Sequence, residues 1–206
     1  ELLLIPYFAA ISARAVQRAL KVRHPDTAIP ALVSLPVQRV SHADKRPLFQ
    51  NQMAAWPLML TPEELDAPLA ETVKALHRHY ASFMRRKLPA AMDALMSFLR
   101  RCPSRFALAP ASLPLRGEIC TLFHSHTGEL PSAEPESFFG TRITDAYHVP
   151  SVSSPPGSGI FFSESHQRLR VTLSWREGSH DTEEIRLLKS TLFNDLGLPD
   201  NHPLRA

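Results

Sequence analysis

Ten histidines are spread over 206 residues, and two of them, His124 and His126, stand two apart in the run Leu122-Phe123-His124-Ser125-His126-Thr127-Gly128. In a strand, that spacing puts both imidazoles on one face. Such a pair is the beginning of a metal site, for which Glu129 or Asp145 would be the third ligand. One packed and one solvated histidine is the plainer account, and no metal is expected. The hydroxyls of Ser125 and Thr127 stand where this apolar run breaks at a glycine. A hydroxyl placed there can donate to the oxyanion that develops in acyl transfer. It can equally satisfy the amides of a turn. His77 and His79 are also two apart, but on an expected helix, roughly 200° around its axis. They cannot easily share an ion and read as surface or partner-facing groups.

Other catalytic patterns are weaker. The sequence has no GxSxG elbow, although the partners of a Ser-His-Asp triad need not be adjacent in sequence. Ser163-Glu164-Ser165-His166 gathers suitable side chains, but in the setting of a polar hairpin tip. Gly157-Ser158-Gly159 lacks the third glycine of a dinucleotide fingerprint. Cys102 and Cys120 have no CxxC spacing, which argues against a disulfide scaffold or a cysteine zinc site. Reduced thiols in the cytoplasm are the plain reading.

The cations are unevenly placed. Arg85, Arg86, Lys87, Arg100, Arg101 and Arg105 are opposed only by Asp93 over positions 85–105. A field of that sign suits a phosphorylated ligand, an acidic protein or an anionic lipid surface; a solvated helix-hairpin face is the bland alternative. Aromatic residues do not interleave with these cations, so nucleic acid is not expected as a partner. The whole chain is only +3, from 23 basic and 20 acidic residues.

The elements that must position these groups follow from periodicity and punctuation. An apolar stripe from Leu2 to Leu20 predicts a first helix, ended by His24-Pro25-Asp26. Ile29–Val37 and Pro47–Leu60 read as extended chain. Thr61-Pro62-Glu63-Glu64 is a capping box opening a helix that should continue, distorted, past Pro68. A second helix begins near Pro89. Glu118–Ser125, Thr141–Val149, Gly159–Glu164 and Leu169–Trp175 are candidate strands, the last with Leu169, Val171, Leu173 and Trp175 on one face. A helix over Thr182–Leu196 is capped by Gly197. The expected class is α/β, with a mixed, largely antiparallel sheet flanked by helices. No run of 18 apolar residues predicts a spanning helix. The chain opens without a methionine, inside an apolar helical stripe, and a piece of a longer protein is the expectation; a trimmed complete domain is the alternative.

Several short segments, in this order, resemble the C-terminal half of the CoA-dependent acyltransferase superfamily. That superfamily includes wax ester and diacylglycerol acyltransferases, condensation domains of peptide synthetases and chloramphenicol acetyltransferase. Ile29–Arg39, with Pro36-Val37-Gln38-Arg39, resembles its strand ending in Pro-Val-x-x-Arg, one residue shorter here. Pro47–Asn51 resembles its Gly-Asn segment, with Gln50 in place of the glycine. Leu122–Gly128 resembles its strand ending in Ser-Asn-x-x-Gly, with His126 replacing the Asn and one residue missing. Gly157–Trp175 is similar to its late paired strands, and Asp181–Leu196 to its closing helix.

The resemblance implies that residues 1–206 are the C-terminal lobe of a two-lobed, chloramphenicol-acetyltransferase-like enzyme with a tunnel between the lobes. It implies acyl transfer from a CoA or carrier-protein thioester to a hydroxyl or amine. The thioester is a substrate, and no bound cofactor is expected. Within this family a condensation-type amide or ester former is the rival reading, and a catalytically silent binding module is the rival outside enzymology. The family's base lies in His-His-x-x-x-Asp-Gly on the other lobe, and no histidine of this chain is followed four residues later by aspartate. The isolated chain is therefore expected to be inactive, with the N-terminal lobe as its first partner. By the same resemblance Ser125 falls on the hydroxyl that stabilises the tetrahedral oxyanion, with Thr127 as a second candidate. His126 and Asn51 then fall at substrate-binding positions. The six cations from Arg85 to Arg105 would receive a CoA phosphate, a carrier protein or a membrane surface. The expected setting is the cytoplasm, with peripheral membrane contact left open.

Overall fold

A computed structural model describes residues 4–25, 30–38, 53–99, 101–103, 120–129, 137–142, 150, 157–165 and 168–199. The elements are α1 (Leu4–Arg23), β1 (Ala31–Gln38), β2 (Met53–Leu60), α2 (Pro62–Asp66), α3 (Leu69–Arg85), α4 (Leu88–Leu99), β3 (Leu122–Glu129), β4 (Ser137–Phe138), β5 (Thr141–Arg142), β6 (Ser158–Ser165), β7 (Arg168–Trp175) and α5 (Thr182–Asp195).

Helix boundaries follow the caps. Thr61 and Glu64 exchange both capping-box hydrogen bonds, and Pro62 occupies the first turn. The helix expected to run past Pro68 instead ends at Asp66 and restarts at Leu69. Ala67, forced out of the helical region by the following proline, is extended at φ −66° and ψ 163°. Asp181 and Glu184 form a second capping box at α5. Gly197, at φ +69°, stops that helix in the left-handed region, and the Leu198 amide reaches back to the Phe193 carbonyl.

Five strands form one mixed sheet in the order β2-β1-β3-β6-β7. The outer pairs, β1–β2 and β6–β7, are antiparallel along their whole length. The inner pairings of β3 with β1 and β6 are parallel and shorter. β3 begins later than the expected Glu118–Ser125 and continues through Gly128, with a bulge between His126 and Glu129. Of the expected strand Thr141–Val149, Thr141–Arg142 pair with Ser137–Phe138 as a small ribbon; positions 143–149 lie outside the described residues.

The core lies between one sheet face and the helices. Val33, Leu35, Leu58, Leu122, Ile160 and Phe162 are buried there. Helix α1 crosses this face, with Phe8 stacked on Phe162 at 4.3 Å. The sequence stripe predicts one buried side for α1, yet the helix is buried nearly all round, from Phe8 to Gln17. The sheet covers one side, and α3 and α5 cover the rest. Ala9, Ala10, Ala13 and Ala15 are wholly buried, and their small side chains permit that close approach. A buried guanidinium ties the layers together. Arg14 donates from Nε to Asp195 on α5 at 3.0 Å, and from Nη1 to the Leu65 and Ala67 carbonyls and to Thr72.

Candidate active site

The chemistry-bearing strand β3 sits in the middle of the sheet, and its side chains divide between two environments. Leu122, His124 and His126 face α1; Phe123 and Ser125 face the other way by alternation. His124 is buried, with Nδ1 3.1 Å from Ser12 Oγ. Ser12 also donates its hydroxyl to the Phe8 carbonyl at 2.7 Å. That carbonyl only accepts, so Nδ1–H of a neutral imidazole donates to Ser12 and Nε2 holds the lone pair, buried without a partner. Burial, with a smaller contribution from His126, pushes the His124 pKa down to about 3. His126 is also packed, its ring 5.0 Å from that of Phe8 and its Nε2 3.0 Å from Glu164. Both histidines thus face the core of the sheet–helix sandwich, and among the described residues no group of three His, Cys, Asp or Glu gathers as a metal site.

Ser125 is half-buried on the opposite face, and its hydroxyl makes no hydrogen bond to a described residue. Thr127 differs: its hydroxyl donates to the Phe162 carbonyl on β6 at 3.3 Å, across the bulge. Gly128, at φ +70°, permits that bulge. The cross-strand neighbour of Ser125 is Phe161. The Phe161 ring leans back over Gly159, where a Cβ would stand 2.4 Å from its Cε2. The missing side chain at Gly159 therefore gives this ring its place, directed down β6 and away from the strand end that carries Ser125.

The remaining sequence candidates are dispersed. Arg85, Arg86 and Lys87 are exposed at the α3–α4 turn, and Arg101 is exposed just beyond α4. Asn51, Arg100 and Arg105 lie outside the described residues, as do Asp145 and His166. His77 is exposed, whereas His79 is occupied by Glu64 at 3.0 Å.

One polar cluster escaped the sequence reading. Ser158 Oγ lies 2.6 Å from His180 Nε2, and His180 Nδ1 lies 3.1 Å from Glu184 Oε2. Serine, imidazole and carboxylate stand in the order of a nucleophile relay. The surroundings give it a different task. The same Glu184 oxygen accepts from Arg23 and from the Asp181 amide, and Glu184 is wholly buried. The adjoining recess beside Leu173 and Leu188 has room for about one water molecule. The cluster joins the start of α5 to the start of β6. Its sequence signal was the His180/Glu184 spacing of four within an Asp181-x-x-Glu184 capping box.

No protein family model matches the sequence, and no curated protein matches it. Among solved structures, the epimerization domain from the third module of tyrocidine synthetase B superposes with a TM-score of 0.51 at 14% identity. The match covers 91% of this chain and 40% of that one, so the chain spans well under half of its structural neighbour. At this identity the likeness is one of fold, and the fold is condensation-like: a mixed sheet carrying its helices as one lobe does.

Proposed function

We propose that the chain is the C-terminal lobe of an acyl-transfer domain and supplies an oxyanion donor, Ser125, to a cleft completed by a second lobe. The donor is a CoA or carrier-protein thioester, and the acceptor a hydroxyl or amine. The observation that carries this reading is the half-buried hydroxyl of Ser125, on the sheet face opposite the helices and bonded to no described residue. The condensation-like fold supports it, as does the share of the neighbour's length that the chain spans. In the reaction the acceptor oxygen or nitrogen attacks the thioester carbonyl carbon. A base on the other lobe takes the acceptor proton, the carbonyl oxygen becomes the oxyanion that Ser125 O–H stabilises, and the thiolate leaves with that proton. His126, bound to Glu164 and packed on Phe8, holds β3 in place in this reading.

The neighbour's origin in a peptide synthetase favours a second reading within the same chemistry, a condensation-type amide or ester former acting on carrier-bound substrates. The full-length protein, incubated with acyl-CoA and acyl-carrier thioesters and a panel of acceptors, separates these by mass spectrometry. Product from CoA donors supports the first reading, and product from carrier-bound donors alone supports the second. No product from any donor, with no His-His-x-x-x-Asp-Gly elsewhere in the polypeptide, overturns both and leaves a silent module of this fold. Robust product from residues 1–206 alone overturns the two-lobe account.

A further inference from the structure

From the exposed face of α4 and the charges at its ends, we infer that this helix lies on an anionic lipid surface. Leu88, Ala91, Leu95 and Phe98 recur at intervals of three and four, which places them on one side of the helix. That side points to solvent: Leu88 is 36%, Leu95 46% and Phe98 62% exposed. Met84, 43% exposed in the last turn of α3, lies just before them in the chain. Met92, on the flank of this ridge, packs against the core, and Asp93, the only charged residue of the helix, is half-buried on the side opposite the ridge.

Cations bracket this apolar ridge. Arg85, Arg86 and Lys87 precede it, with Lys87 at φ +53° in the turn, and Arg101 follows it, its amide bonded to the Phe98 carbonyl. All four are exposed, and the described ion pairs involve none of them. A helix of twelve residues is roughly 18 Å long, so the two groups of charge sit at opposite ends of a short apolar bar. Apolar side chains that dip below the headgroups, with Lys and Arg at headgroup level, are what interfacial binding requires. A protein partner would instead need matching hydrogen-bond groups across the patch, about one per 100–200 Å². Between its charged ends the ridge offers none, since Leu88, Ala91, Leu95 and Phe98 carry no polar side-chain group. The cations at positions 85–87 and 101 thus meet lipid phosphates rather than a CoA phosphate or a carrier protein. No described helix is long and apolar enough to cross a membrane, so the contact is peripheral.

The test is vesicle co-sedimentation of the full-length protein, and it is independent of any transferase activity. Phosphatidylcholine vesicles are compared with vesicles that also contain phosphatidylglycerol, at low and high salt. The protein is expected to bind the anionic vesicles and to be released by salt. Joint replacement Arg85→Glu, Arg86→Glu and Lys87→Glu should weaken binding on the order of 100-fold. Leu95→Ser with Phe98→Ser should do the same, and both sites are exposed enough to leave the melting temperature unchanged. No binding to anionic vesicles overturns the inference. So does binding that ignores Leu95 and Phe98, or a wild-type dimer that the Leu95/Phe98 variant converts to monomer without lipid.

Discussion

His124 and Ser125 are consecutive on β3 and serve opposite sides of the sheet. The imidazole is sealed against Ser12 of α1, and the neighbouring hydroxyl faces away from every hydrogen-bond partner among the described residues. The strand is held on its helix side by His124 and His126, so the residue between them is directed to the opposite face and its hydroxyl is left free to turn. In the proposed acyl transfer such a hydroxyl can turn to the developing oxyanion without breaking another bond.

Ser125→Ala in the full-length protein is expected to lower the turnover of thioester-dependent transfer by about 10²–10³, the range for loss of one oxyanion donor. KM and melting temperature should stay near wild type, because Ser125 bonds to no described residue. Thr127→Ala should show the converse. Its hydroxyl is given to Phe162, so its loss is expected to cost about 1 kcal/mol of stability and little turnover. Steady-state kinetics paired with thermal melts separate the two, and unchanged turnover in Ser125→Ala removes this residue from the mechanism.

Gly159→Ala tests how the open strand end is maintained. The new methyl would overlap the Phe161 ring, which must leave its place over Gly159 and swing along β6 towards Ser125. The φ of Gly159 lies outside the left-handed region, so the backbone accepts alanine. The expected result is a fall on the order of tenfold in kcat/KM with the fold intact, since small misplacements at a reacting centre are costly. Gly159→Ala with Phe161→Ala should recover most of it. If both variants behave as wild type, Phe161 does not shape the site.

Much of this was legible in the residues. Thr61-Pro62-Glu63-Glu64, Gly197 and the alternation of Leu169 to Trp175 announced their elements, because caps and period-2 patterns are local signals. The i, i+2 spacing placed His124 and His126 on one face. The uses of the polar groups were not legible. Whether Ser125 or Thr127 has a free hydroxyl depends on a bulge that brings Thr127 to Phe162, 35 positions away. The burial of α1 on all sides, and Arg14 within it, depends on α3 and α5, which pattern along α1 cannot report. The Ser158–His180 contact joins β6 to the entry of α5 only once β7 has folded between them in sequence.

Arg14 is the charge on which the helical layer depends. Its side chain is 7% exposed and that of Asp195 is 6%, and the guanidinium also covers carbonyls at the end of α2. Arg14→Met leaves a buried carboxylate and two carbonyls without a donor, for an expected loss of about 3–5 kcal/mol. Arg14→Lys should recover less than half, because an ammonium cannot span Asp195 and the Leu65 and Ala67 carbonyls as the planar fork does. Urea unfolding of the two variants measures both costs. A loss below about 1 kcal/mol for Arg14→Met would show that the network is dispensable.

The depressed pKa of His124 makes a prediction about pH. In the unfolded chain this histidine titrates near 6.5, and in the folded protein near 3. Between those values the unfolded state binds the extra proton, so stability rises with pH across the window and levels off above about 6.5. Acidification from neutrality should therefore weaken the fold by up to about 1.4 kcal/mol per pH unit from this group alone, until pH approaches 3. Protonation inside the fold would place a second donor, Nε2–H, where the structure has no acceptor. His124→Leu keeps an apolar side chain against Phe162, and Ser12 retains its bond to the Phe8 carbonyl. That variant should lose most of the slope between pH 6.5 and 5, above the range in which carboxylates titrate. Urea midpoints of wild type and His124→Leu at half-unit steps of pH check this, and parallel profiles would mean that His124 is not the group that senses acid.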